Sequence, residues 1–331
     1  MYEQIMVPTD GSGFDREAIL VALRIAECCG AKVRLVRVLT TGAYVGVGAS
    51  GIAGSMEAAI PTVEVVRAQR DAALSELYAL AAECRSLTSA DVTVDLEQGP
   101  AADVLEGYAK RNEVDLIVIS SHGRRGLARM ALGSVTDSLI RGTTIPVLVI
   151  KPKASYLTPE ASKDFHHIVV PLDGSSLAEQ ILTRIVPFAK LENAGVTLLH
   201  VLTPSKDSYE SEDGELHLPW WEKRLAGAQA YLSRKAAEIR VKGVSAGIDV
   251  VIGEQVPEAI TEYARRERAD LIAIATHGRG GLARVLRGSV ATAVTKSAMS
   301  SILVFHPDRG AEKDIAKPRV EEEREKAVAL A

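Results

Sequence analysis

Two stretches of this chain are near copies of one another, so any fold it adopts must be one that can be built twice. Residues 115–135 read D-L-I-V-I-S-S-H-G-R-R-G-L-A-R-M-A-L-G-S-V, and residues 270–290 read D-L-I-A-I-A-T-H-G-R-G-G-L-A-R-V-L-R-G-S-V. Each opens as a short aliphatic run, the pattern of a strand buried on both faces. A glycine-bearing loop follows, and Gly-Ser then opens a helix. Strand, loop and helix start in that order make an anion site. Glycines let backbone N–H groups approach an oxygen closely, and the first helical turn leaves its N–H groups without intrahelical acceptors.

The copy extends well beyond this stretch. Ile5-Met6-Val7-Pro8-Thr9-Asp10-Gly11-Ser12 returns as Ile168-Val169-Val170-Pro171-Leu172-Asp173-Gly174-Ser175, and the register holds through to Val38 and Val201. It shifts at a longer connection in the first copy and is constant again from Asp115 and Asp270 onward. Repeats of this length are duplicated domains, not solenoid units, and 331 residues suffice for two of them. The expected boundaries are 1–152 for the first domain, 153–165 for a linker, 166–308 for the second domain and 309–331 for a charged, solvated tail.

Aliphatic runs alternate with amphipathic ones throughout. Strands are expected near 4–9, 32–39, 91–97, 115–120 and 146–150, with helices near 13–29, 61–86, 101–112 and 133–142. The second copy repeats this with strands near 167–172, 195–202, 247–252, 270–275 and 301–305, and helices near 176–192, 219–242, 256–268 and 288–298. Pro187 falls inside one of these helices and should kink or shorten it. Strands separated by helices need crossover connections, hence a mostly parallel sheet covered on both faces. The glycine-rich segment 40–55 reads as a flexible crossover loop, with a lid over ligand as the alternative.

A net charge of −4 gives no basic face for nucleic acid or anionic membrane, so neither is an expected partner. No apolar run approaches a membrane span, and no signal-type segment follows Met1, so the expected location is the cytoplasm. Cys28, Cys29 and Cys84 form no disulfide framework or metal pair. The chain has no G-x-x-x-x-G-K-[ST] loop, and no G-x-G-x-x-G follows the first strand of either half. His122 and His277 lack the neighbours of a metal site and read as structural residues, and no dedicated metal cage is expected. Ser134 and Ser289 have no base beside them, so they suit capping or phosphate binding better than nucleophilic chemistry. No catalytic residue is identifiable.

What remains is spatial. In a parallel α/β sheet, ligands sit at the carboxyl ends of strands where the strand order reverses. Pro8-Thr9-Asp10 and the segment from Ser120 to Ser134 leave their strands on that edge together. A carboxylate at Asp10 repels phosphate but accepts hydrogen bonds from a sugar hydroxyl or a base amine. A ligand with a polar neutral end and an anionic end fits, as a nucleotide does. The alternative for Asp10 and Asp173 is a helix N-cap.

Both halves resemble the universal stress protein domain, and the whole chain resembles a tandem member of that family. The most specific part is the family's G-x-x-G, nine residues, G-[ST] loop. It is met as Ser120-x-x-Gly123 with Gly133-Ser134, and as Ala275-x-x-Gly278 with Gly288-Ser289. Each copy has a small residue in place of the first glycine. The resemblance implies an α/β fold of two Rossmann-like (adenine nucleotide alpha hydrolase-like) domains, each a five-stranded mostly parallel sheet with helices on both faces. It implies adenine and ribose contacts from Pro8, Thr9, Asp10 and Val38, and from Pro171, Leu172, Asp173 and Val201. Val135 and Val290 would add a backbone N–H beside the phosphate-binding serines.

Because both loops are present, the resemblance points to the ATP-binding branch and to a stress-response or regulatory role. A divalent ion, magnesium or manganese, would ride on the phosphates, and Arg124, Arg129, Arg279 and Arg284 lie near enough in sequence to assist. The family's pairing through its last strand would join 146–150 to 301–305 as an internal pseudo-dimer, with a further homodimer as an open alternative. A slow ATP hydrolase or phosphotransferase, and a scaffold with relic pockets, stand as rival readings.

Overall fold

The computed structural model describes residues 2–40, 63–121, 132–151, 165–204, 218–276 and 289–307. The first half runs β1 (Gln4–Pro8), α1 (Arg16–Cys29), β2 (Lys32–Leu39), α2 (Val63–Leu87), β3 (Val92–Gln98), α3 (Ala101–Arg111), β4 (Leu116–Ser120), α4 (Ser134–Gly142) and β5 (Val147–Ile150). The second runs β6 (His167–Pro171), α5 (Ser176–Glu179), α6 (Leu182–Leu191), β7 (Gly195–Leu202), α7 (Leu218–Val241), β8 (Ala246–Ile252), α8 (Val256–Arg266), β9 (Leu271–Ala275), α9 (Ser289–Ser297) and β10 (Ser301–Phe305).

All ten strands lie in one sheet, ordered β3-β2-β1-β4-β5-β10-β9-β6-β7-β8. Within each half every pairing is parallel. The halves meet where β10 runs antiparallel to β5, with Leu303 opposite Leu148 and Ile302 opposite Val149. Each half is thus a Rossmann-like five-stranded unit, and its strand order reverses between β1 and β4, or between β6 and β9.

Alternation along the strands sends side chains to two layers. Ile5, Val7, Leu35, Leu116 and Val118 pack with α1 and α2, while Met6, Val36, Ile117 and Ile119 pack with α3 and α4. The second half does the same with Ile168, Val170 and Leu198 on one face and Val169, Leu199 and Ile272 on the other. Both core clusters contain residues of both halves, so the packing is continuous across the junction.

Two helix boundaries differ from the periodicity. The helix expected from residue 13 begins at Arg16, because Gly11 and Gly13 hold φ of 72° and 79°, which a helix does not admit. The helix expected over 176–192 is split into α5 and α6 around Gln180 and Ile181. There Gln180, Ile181 and Thr183 donate to the carbonyls of Leu177, Ala178 and Gln180, three residues back instead of four. Pro187 lacks the N–H that would bond Thr183, and its ring crowds that carbonyl, so the turn before it tightens.

Candidate functional site

The reversal of strand order opens a crevice at the carboxyl ends of β1 and β4. Thr9, just past β1, is fixed by its N–H to the Val36 carbonyl at 2.9 Å. Ser121, just past β4 and fully buried, is fixed by its N–H to the Ile150 carbonyl at 2.9 Å. The start of α4 is then tied down onto this edge. Gly133 N–H donates to the Ser121 carbonyl at 2.9 Å, and Thr136 Oγ1 donates to the Ser120 carbonyl at 3.1 Å. Gly133 is the N-cap of α4 and has no side chain to accept from the first-turn amides. Its φ of −61° is open to any residue, so glycine is needed here for closeness: a Cβ would stand 3.3 Å from the Ser121 oxygen. Ser134, the first helical residue, is exposed.

Asp10 is half-buried at the mouth of the crevice, and its Oδ1 accepts the Ser12 N–H at 2.8 Å. Asp173 accepts both the N–H and the hydroxyl of Ser175, at 2.9 and 2.6 Å. Neither aspartate is a helix N-cap, which corrects that alternative. Asp15 holds the N-cap position of α1, and Ser175 caps α5 through Ala178 N–H. Both carboxylates instead close a two-residue turn that leaves them on the ligand edge.

Thr9 turns its hydroxyl away from the crevice, onto the α1 side of the sheet, where it donates to the buried Asp15 carboxylate. Its main chain is what faces the edge. Val38, Val135, Val201 and Val290 all pack, partly buried, against the α3–α4 or α8–α9 core, so each pair shares one face at one edge. Ser120 is buried at the end of β4, Ala275 ends β9, and Pro8 and Pro171 end β1 and β6. Leu172 is 3 % exposed and its N–H bonds the Leu199 carbonyl, the same role that Thr9 has. Ser289 opens α9. Gly123, Gly278, Gly288, His122, His277 and the four loop arginines lie outside the described residues, as do the segment 41–62, the tail and the expected linker up to residue 164; Phe165, its last residue, is instead buried in the core.

Motif spacing does not point to Ser121, Thr136 or Lys151. The first two pin α4 to β4, and the signal for them was a polar residue at each end of the loop. Lys151 follows β5 on the same edge and is 6 % exposed. Its Nζ donates to the Thr295 carbonyl in the last turn of α9 at 2.8 Å, and burial pushes its ammonium down to about 8. Among the described residues no group of His, Cys, Asp and Glu could hold a metal ion, and no helix is long and apolar enough to cross a membrane.

The model of the universal stress protein family matches this chain over residues 1–151 and again over 164–306. A universal stress protein of Methanocaldococcus jannaschii is 33% identical over 151 residues, 46% of this chain and 83% of that protein. One from Mycobacterium tuberculosis H37Rv is 32% identical over 205 residues, 58% of this chain and 62% of its own length. The solved structure of a universal stress protein from Archaeoglobus fulgidus shares the fold, with a TM-score of 0.63 at 17% identity over 93% of this chain and 97% of that one.

Proposed function

The chain belongs to the universal stress protein family, and on that premise we propose that it is an ATP-binding regulatory protein with one nucleotide site per half. The observation that supports this best is the start of α4. A helix N-terminus capped by a residue without a side chain, so that no capping side chain accepts from its first-turn amides, is held at the strand-order reversal. Such a terminus carries about half a positive charge and suits an anion. Glycine at 133 lets this helix start sit against the Ser121 carbonyl, whose oxygen a Cβ would meet at 3.3 Å.

In this reading the amides of Ser134 and Val135 and the Ser134 hydroxyl hold phosphate oxygens. Asp10 accepts hydrogen bonds from the ribose or the base, and Val38 and the Pro8–Thr9 main chain wall the adenine. Ser289, Val290, Asp173, Val201 and the Pro171–Leu172 main chain repeat these roles. Magnesium or manganese, where present, is carried by the phosphates. The role in this reading is binding.

The test is to extract nucleotide from the purified full chain, identify it and count it per chain. About two adenine nucleotides per chain supports two working cradles, in line with one anion site per helix start. A chain that purifies without nucleotide and shows no rise in melting temperature with millimolar ATP, AMP or cyclic AMP sinks the reading, since a ligand of the native state must stabilise it.

A further inference from the structure

Lys151 is buried, and it bridges the two halves at the edge where the first half's cradle sits. Ser120 pairs with Ile150 across β4 and β5, so the next residues, Ser121 and Lys151, lie side by side. Their backbones are one strand spacing apart, about 4.8 Å. Val147 and Val149 point to the α3–α4 face, as Ile117 and Ile119 do, and alternation sends Lys151 and Ser121 to that same face. The Ser121 carbonyl in turn holds the Gly133 N–H at 2.9 Å, so the lysine stem rises beside the residue that fixes the start of α4.

The far end of the side chain belongs to the second half. β10 runs antiparallel to β5, which brings the last turn of α9 to the edge where α4 begins. There Nζ donates to the Thr295 carbonyl at 2.8 Å, and the Lys151 N–H donates to Ser301 Oγ at 3.3 Å. Two opposed effects act on the ammonium. The carbonyl end of α9 is the negative end of a helix dipole and favours the charged form. Burial disfavours it and prevails, bringing the pKa down to about 8. The charged side chains of the neighbouring helices are Asp137 and Arg141 of α4, which pair with each other, and Lys296 of α9, which is exposed. Among the described residues the shift comes from burial and not from them. The repeat register puts His306 opposite Lys151 and Thr276 opposite Ser121, with His306 Nδ1 3.1 Å from Thr276 Oγ1. A lysine therefore backs only one of the two cradles.

We propose that Lys151 is the charge-compensating group of the first half's nucleotide site, and that phosphate bound at the start of α4 draws a proton onto it. The inference rests on the nucleotide reading and adds to it a residue and a pH dependence. A polyanion on the first-turn amides of α4 lies on the same face and the same edge as the ammonium, and a nearby opposite charge favours the charged form. The folded pKa of Lys151 then rises on binding. A proton is taken up wherever the pH lies between the free and the bound value, and affinity falls as pH rises through that window. Phosphate's own second ionisation, near about pH 6, lies below it.

The experiment is calorimetric titration of the full chain with ATP at pH 7 and pH 9, each in two buffers of different ionisation enthalpy, so that exchanged protons are counted. The expected result is uptake of about half a proton or more at pH 9 and less than about a tenth at pH 7. Affinity of the first-half site should be about 5- to 10-fold weaker at pH 9. Lys151→Met should bind without uptake and equally at both pH values. Lys151→Arg stays charged at both, so it should keep its pH 7 affinity at pH 9, again without uptake. Gly133→Val should lose the uptake together with the first-half site. The Lys151 variants leave His122 and the loop arginines in place, so uptake by any of those groups would persist in them. No ATP binding at pH 7 sinks the nucleotide reading and this inference with it. Binding at pH 7 with no uptake at pH 9, or uptake that persists in folded Lys151→Met or Lys151→Arg, overturns this inference alone.

Discussion

Gly133 is a residue whose identity is set by what stands next to it, not by its own backbone. With φ at −61° any side chain could adopt the conformation, but a Cβ would press on the Ser121 carbonyl at 3.3 Å. Gly133→Val should therefore cost about 1–3 kcal/mol of stability, the usual range for overpacking, measured as a shift of denaturant midpoint. Its larger effect should be loss of the ATP-induced rise in melting temperature from the first half. Lys151 makes the opposite kind of statement, since its burial works against the native state. Its folded pKa of about 8 lies below the ordinary 10.5. Between those values the unfolded chain binds more protons than the native one, so stability rises with pH across that window and levels off above it. The gain is up to about 3 kcal/mol, and Lys151→Met should flatten it; equal slopes from pH 8 to 10.5 in both proteins would show that Lys151 is not the source.

At the scale of elements, the broken helix of the second half is the clearest departure from its twin. Arg24 in the unbroken α1 corresponds to Pro187 in α6. Proline inside a helix removes one hydrogen bond and crowds the carbonyl four residues back, at about 3 kcal/mol in a regular helix. Pro187 is exposed, so its replacement disturbs no core packing. Pro187→Ala should raise the urea midpoint by the equivalent of about 1–3 kcal/mol and let α5 and α6 join. A change within about 0.5 kcal/mol would mean that packing at Gln180 and Ile181, not proline, makes the break.

Across the whole molecule, two halves share one sheet, two core clusters and a charged clasp. Arg24 of α1 pairs with Glu192, which follows α6 and whose side chain is 1 % exposed. The same carboxylate accepts the Phe165 N–H at 3.3 Å, and the guanidinium lies 5.8 Å from the centre of the Phe165 ring. Removing one member strands a buried charge, so Arg24→Ala should destabilise by about 3–5 kcal/mol, while Arg24→Met with Glu192→Leu should cost much less. A double-mutant cycle of Arg24→Met and Glu192→Leu in chemical unfolding gives the comparison; a loss in the double variant equal to the sum of the two single losses would assign the clasp no coupling between halves.

How much of this is legible in the chain itself divides along a physical line. Duplication, the strand–helix alternation, the two layers and the Gly133-Ser134 helix start were all readable, because period and motif report what one element does locally. Short-range patterns also set the limits of that reading. The spacing of Asp10 fits a helix cap, yet its carboxylate closes a turn with Ser12, because Gly11 and Gly13 delay the helix to Arg16. The buried Lys151 and the Arg24–Glu192 clasp have no local signature. Each depends on which faces of distant elements meet, and burial, which turns an ordinary charged residue into a constrained one, exists only once the sheet has brought those faces together.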